Sequence, residues 1–199
     1  MKNRRGEKMS KIAIDIDNTL CDTSAFFAPL AKKYDREVLH KNNIMNYDKI
    51  IVRSDDWTKE EYMSFVKNYF NKEVINVPVK EGASLYINKL KELGFEIIFI
   101  TYRGTKEEDH SDLIIPDYLK KNNIPYDRII TRVTDKYTYL QKCEYFIDDD
   151  IINCEQAIEK TNCKVIMMST PKTKGYTNSN ISIVNNWQEV YEIISNQRN

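Results

Sequence analysis

The sequence predicts an α/β layer fold with a mainly parallel sheet flanked by helices, and three observations predict it. Short apolar runs recur along the 199 residues, each followed by a stretch with helical spacing, the alternation that crossover connections between parallel strands produce. Three of these runs end in polar strings: Asp15-Ile16-Asp17, Thr101-Tyr102-Arg103 and Asp148-Asp149-Asp150. In open parallel sheets ligands bind beyond the carboxyl ends of the strands, so the three strings mark one edge as the place for chemistry. One long segment, 24–79, breaks the alternation and is rich in charge and aromatic rings.

Lys11 to Ile16 reads as a buried strand that ends in charge. Gly82 to Leu93 places Leu85, Ile87, Leu90 and Leu93 at helical spacing, with Gly94 where a helix-ending glycine belongs. Phe95 to Ile100 is a second buried strand, Asp112 to Asn122 a helix closed by Ile124-Pro125, and Asp127 to Thr131 a short third strand. Glu144 to Ile147 supplies the fourth strand, Ile151 to Lys160 a helix and Cys163 to Met168 the fifth strand. Ile181 to Val184 adds a short sixth strand and Trp187 to Ile194 the last helix. Within 24–79, Thr58 with Glu61 three residues on is the signature of a capped helix start. The chain divides into a flexible leader over 1–10, a core over 11–23 and 80–199, and a small helical cap over 24–79 lying across the active edge.

Composition narrows the partners. Lys plus Arg and Asp plus Glu both number 30, so no net field draws a polyanion and nucleic acid polymers are not expected partners. Four cysteines without a CxxC pair and two distant histidines do not make a zinc site. The thiols are expected to be reduced and mostly buried, as in a cytoplasmic protein. No apolar run reaches the ~20 residues of a membrane span. The start, MKNRRGEKMS, has no apolar stretch behind its basic residues and does not read as a secretory signal; Met9 is a second candidate start. A monomer or homodimer is expected.

The polar strings carry the chemistry. Two carboxylates at the end of an apolar strand, Asp15 and Asp17, need compensation, and a hard divalent cation such as Mg²⁺ supplies it. A carboxylate beside such an ion can attack phosphorus, and an acid two residues on can protonate the leaving oxygen and later activate water. On its own, DIDNT is equally a turn built on Asx hydrogen bonds. Thr101 is either a strand-end threonine or, with the following N–H groups, a holder of a phosphoryl oxygen. Asp148 and Asp149 are either a solvated acidic turn or the rest of an oxygen cage for Mg²⁺. Lys136, on the connection entering the fourth strand, can neutralise a phosphoryl group and a nucleophile.

Together and in this order, these elements resemble the haloacid dehalogenase superfamily. Asp15-Ile16-Asp17-Asn18-Thr19 matches its first motif, Thr101 the second, Lys136 the third and Asp148-Asp149 the fourth. The resemblance spans Lys11 to Met168 and implies a Rossmann-like sheet, with Asp15 as nucleophile and Asp17 as acid and base. It implies Mg²⁺ held by Asp15, the backbone carbonyl of Asp17 and one or both of Asp148 and Asp149. It also makes 24–79 a cap of the first type. Asp17 favours phosphoester hydrolysis, because the family's P-type ATPases have threonine there and its dehalogenases lack this acid.

Within the superfamily the sequence is similar to the 5′(3′)-deoxyribonucleotidase-like branch, through Val79-Lys80-Glu81-Gly82-Ala83, Ile130-Thr131-Arg132 with Asp135-Lys136, and Tyr145-Phe146-Ile147-Asp148-Asp149. That likeness implies a small phosphorylated metabolite as partner, a nucleotide first. Phe26, Phe27 and Trp57 would then stack on the base or, on the other reading, pack the cap. Tyr102 and Arg103 complete the candidate substrate contacts, with a surface role as the alternative for Arg103. Sugar phosphates, other small metabolites and a non-catalytic binding role on the same fold are the competing readings.

Overall fold

The computed structural model describes residues 9–49 and 51–197, so most of the expected leader over 1–10 lies outside the described residues. Six strands form one sheet: β1 (Lys11–Ile14), β2 (Glu96–Ile100), β3 (Arg128–Ile130), β4 (Tyr145–Asp148), β5 (Lys164–Met168) and β6 (Ile181–Val184). Their order is β3-β2-β1-β4-β5-β6 and every pairing is parallel. The chain builds outward from β1 to one side and then, from β4, to the other. The crevice at such a reversal is where parallel sheets bind ligands, and here it separates Asp15 from Asp148.

The apolar strands serve both faces of the sheet. Ile12 and Ile14 of β1 join Ile97, Phe99 and Ile147 in one core, while Ala13 joins Ile100, Phe146 and Val165 in the other. The first core is covered by α4 (Ala83–Glu92), α5 (Ile115–Lys121) and α7 (Trp187–Asn196), the second by α6 (Ile151–Lys160). The α5 helix starts three residues later than the expected Asp112. Pro116 sits in its first turn, where a missing N–H costs nothing, and Asp112 is instead spent on an ion pair with Arg132 at 2.9 Å. No helix among the described residues is long and apolar enough to cross a membrane.

The segment between β1 and α4 is helical at both ends and irregular in its middle. It opens with α1 (Thr23–Glu37) and continues through the irregular stretches 38–49 and 51–58. It then runs through α2 (Lys59–Phe65), a π-helical turn (Val66–Phe70), α3 (Asn71–Glu73) and a 3₁₀ turn (Val74–Asn76). Thr58 caps α2 reciprocally: its hydroxyl accepts Glu61 N–H at 3.2 Å, and the Glu61 carboxylate accepts Thr58 N–H at 2.9 Å. The segment leaves and rejoins the sheet side by side. Cys21 pairs with Val79, Asp22 N–H donates to the Pro78 carbonyl at 3.1 Å, and Lys80 binds the Asp22 carboxylate at 2.5 Å.

The segment's rings pack on one another and continue the sheet's first core. Phe27 lies 4.8 Å from Phe70 and 6.5 Å from Phe65 between ring centroids, and Trp57 lies 5.1 Å from Tyr34. Aromatic pairs at such separations add about 0.5–1.5 kcal/mol beyond the area they bury. Replacing Phe27 by Ala, at a fully buried position, should cost about 3–5 kcal/mol in denaturant unfolding. The accompanying loss of activity should be the same for a nucleotide and for a small aryl phosphate. A loss confined to the nucleotide would return Phe27 to base recognition.

Candidate active site

The site is assembled where β1, β2 and β4 end. Asp15 N–H donates to the Ile147 carbonyl at 2.9 Å, which extends the β1–β4 ladder by one residue and sets Asp15 beside Asp148. The chain then turns through Asn18, in the left-handed region at φ 61°, a conformation that asparagine tolerates better than most residues. Residues two apart on an extended chain point the same way, so Asp15 and Asp17 both face the edge. Both are buried, at 5% and 6% exposure.

Three carboxylates gather here. Asp15, Asp148 and Asp149 each offer an oxygen, all within 4.8 Å of one another. Lys136, in the 3₁₀ turn Lys136–Tyr139, donates to Asp15 and, at 2.8 Å, to Asp148. Asp148 also accepts Asp150 N–H at 2.8 Å and the Asn153 amide at 3.2 Å. Asp149 accepts the Thr19 hydroxyl, at 3.2 Å.

One ammonium cannot balance three buried acids. Burial lifts the Asp15 carboxyl well above the ordinary carboxylate range, against the pull of Lys136 and with the push of Asp148 and Asp149. Burial, then the charge of Asp148, raises Asp149 to about 7. Burial alone would lower Lys136, but Asp148 and Asp15 hold it above its ordinary value, so it stays charged. A cluster of hard oxygens with surplus negative charge suits Mg²⁺. Asp15, Asp148 and Asp149 are the residues that would hold it.

Asp17 lies outside this cluster by its side chain. Its Oδ1 accepts the Thr23 hydroxyl at 2.6 Å, and both its oxygens accept Arg103, at 2.8 to 3.2 Å. Burial pushes Asp17 upward too, yet the charge and hydrogen bonds of Arg103, with Thr23, outweigh it and hold this carboxyl below the ordinary range. A side-chain place for Asp17 at the metal is therefore corrected; its backbone carbonyl is what remains for that role.

The surface reading of Arg103 is also overturned, since its side chain is 2% exposed. The turn that buries it is closely fitted. Thr101, wholly buried at the end of β2, accepts Arg103 N–H on its hydroxyl at 3.2 Å, and Arg132 N–H donates to the Arg103 carbonyl at 3.0 Å. Gly104 follows at φ 81°, and a Cβ there would stand 2.5 Å from the Asp112 carboxyl carbon.

Two adjoining cavities open onto these groups. One, of about 260 Å³, is lined by Asp15, Lys136, Asp148 and Asp149. The other, of about 300 Å³, lies between the helical segment and the sheet edge and is lined by Arg53, Tyr62, Arg103 and Lys106. Asp17, Tyr102, Asp150 and Lys172 border both. Tyr102 thus stands at the cleft, but Phe27 and Trp57 do not. Phe27 is wholly buried, and Trp57 spends its indole N–H on Asp35 at 2.6 Å. Of the helical segment's aromatics, Tyr62, stacked against the Arg53 guanidinium at 3.9 Å, and Phe70 line the cleft. Sequence spacing gave no sign of the Tyr62–Arg53 pair.

No family model matches the chain. A nucleotidase from Clostridium acetobutylicum is 27% identical over 186 residues, 92% of each chain. Among solved structures, a haloacid dehalogenase-like family hydrolase from Streptococcus pneumoniae superposes with a TM-score of 0.69 at 15% identity, covering 94% of this chain and 98% of that one. A D,D-heptose 1,7-bisphosphate phosphatase from B. bronchiseptica, complexed with magnesium and phosphate, superposes at 0.57 with 13% identity, covering 95% and 99%. The Rossmann-like sheet expected from the sequence is the fold these structures share.

The raised Asp149 has a thermodynamic consequence. Against an ordinary value of 3.8, a folded value of about 7 means that the metal-free fold keeps a proton the unfolded chain gives up. Stability that is fully present below the unfolded value is therefore lost as pH climbs toward the folded one. In a chelator, the melting temperature should fall between about pH 4 and about pH 7, and saturating Mg²⁺ should remove most of that fall. Parallel curves with and without Mg²⁺ would show that these acids do not bind the ion.

Proposed function

We propose, from the premise that the chain is a haloacid dehalogenase-type hydrolase, that it is a Mg²⁺-dependent phosphomonoesterase working through an aspartyl phosphate on Asp15. The observation that carries this reading is the bridge from Lys136 to both Asp15 and Asp148 inside a three-carboxylate cluster. Lys136 opposes the burial and the neighbouring acids that favour a protonated Asp15, and a divalent ion on the adjacent carboxylates would favour the ionised nucleophile further. Bound between Asp15, Asp148, Asp149 and the Asp17 carbonyl, Mg²⁺ supplies positive charge against the phosphoryl oxygens.

The chain's own groups perform the steps. An Asp15 oxygen attacks phosphorus and the bond to the leaving oxygen breaks; Asp17, which Arg103 and Thr23 hold toward its carboxylate form, takes a proton from solvent as substrate binds and gives it to that oxygen. Lys136 offsets the charge that collects on the phosphoryl group. Asp17, now a carboxylate, takes a proton from water as the water attacks phosphorus, which frees Asp15 and releases inorganic phosphate. Alcohol and phosphate are the products. The cleft beneath the helical segment excludes bulk water from the ester.

The substrate class is a nucleoside monophosphate. The Clostridium relative is described as a nucleotidase, and Tyr62 and Tyr102 offer ring faces beside the cleft. Stacking of a base on such a ring is worth roughly 1–3 kcal/mol. The cationic lining by Arg53, Lys106 and Lys172 favours, second, a sugar phosphate carrying a further anionic group.

Phosphate release from a panel of nucleoside monophosphates and sugar phosphates, with and without Mg²⁺, tests the reading. Asp15→Asn should abolish turnover, because an amide forms no acyl phosphate. Asp17→Asn should lower kcat by about 10² to 10⁴. Near-normal Mg²⁺-dependent hydrolysis by Asp15→Asn would sink covalent catalysis at this residue.

A further inference from the structure

Arg103 is a buried cation that this chemistry leaves unused. Its Nε donates to the two oxygens of Asp17 at 3.0 and 3.2 Å, and its Nη2 donates to Oδ1 at 2.8 Å. The remaining nitrogen, Nη1, is buried without a hydrogen-bond partner among the described residues. A phosphate-binding arginine would turn its fork toward the cavity that holds Asp15 and Lys136. Arg103 does not line that cavity; it lines the neighbouring one and gives its fork to Asp17.

The arrangement is fixed from both ends. The arginine backbone is held by Thr101 and Arg132 and followed by a glycine that no other residue can replace without meeting Asp112. The carboxylate's Oδ1, which accepts Arg103 Nη2, also accepts the Thr23 hydroxyl at 2.6 Å. A planar guanidinium making several bonds sets the plane of a carboxylate as well as its position, which the point charge of an ammonium does not.

We propose that Arg103 is a positioning residue, which holds the Asp17 carboxylate in the orientation from which it serves the phosphoryl group at Asp15 and does not itself bind phosphate. The inference rests on the phosphatase reading above. Its distinguishing consequence is that Arg103 acts only through Asp17.

A kinetic cycle of Arg103→Met, Asp17→Asn and the double variant tests it. Arg103→Met should lower kcat about 10- to 100-fold, as a catalytic group displaced by about an ångström does. The inhibition constant of inorganic phosphate should stay within about threefold, and Arg103→Lys should recover part of kcat. In the Asp17→Asn background the same Met substitution should change kcat by less than about twofold. Losses that multiply in the double variant would overturn the proposal. So would a phosphate inhibition constant weakened tenfold or more, roughly one hydrogen-bonded charge's contribution, because Arg103 would then be a phosphate ligand. Should Arg103→Met not fold, Arg103→Lys carries the same cycle. If the parent chain releases no phosphate from any ester of the panel with Mg²⁺, the phosphatase reading falls and this inference falls with it, whatever the cycle shows.

Discussion

The Lys136 ammonium, shared between Asp15 and Asp148, is the contact on which the rest of the site depends. Breaking a buried ion pair by removing one partner typically costs about 3–5 kcal/mol, because the charge left behind has no water to turn to. Here two carboxylates would be stranded at once, at the ends of strands that pair directly with each other. The β1–β4 junction at the middle of the sheet and the charge at its edge are therefore one structure. A cation at the heart of an acidic cluster also divides labour with a metal: the lysine covers Asp15 and Asp148 from one side, while Asp149 keeps the surplus.

Asp15 and Asp17 show how a turn of three residues separates two chemically identical groups. Asp15 faces other acids and is driven toward holding its proton, whereas Asp17 faces a guanidinium and is driven to release it. The difference is created by long-range partners, since Arg103 lies 86 residues from Asp17 and Lys136 lies 121 from Asp15. Only the sheet order brings them to one edge.

That dependence also explains what the sequence did and did not disclose. Strands buried on both faces read as continuous apolar runs, so β1, β2, β4 and β5 were legible, and α6 and β6 lie where the spacing put them. The three acidic or polar strings were legible for the same reason, as charge that an apolar strand cannot carry alone. The start of α5 was obscured by Asp112, whose partner Arg132 is remote in sequence. Arg103 read as a surface arginine or a phosphate ligand, because nothing local distinguishes an exposed arginine from one paired through the fold. Phe27 and Trp57 read as base contacts or as packing, since ring content says how much apolar area a segment has and not which side it turns inward. All of 24–79 read as helical, yet 38–49 and 51–58 form no regular helix.

The neighbouring exit and return of the helical segment, joined by the Cys21–Val79 pairing and the Lys80–Asp22 ion pair, separates two problems that most folds must solve together. A segment anchored at two adjacent points closes a loop whatever its length, and the entropy of closure grows only with the logarithm of that length. Its interior can be lengthened, shortened or exchanged for another sequence while β1 and α4 keep their places. Insertions in its interior are therefore tolerable where they leave intact the paired neck at Cys21 and Val79 and the buried rings that join the segment to the sheet's core.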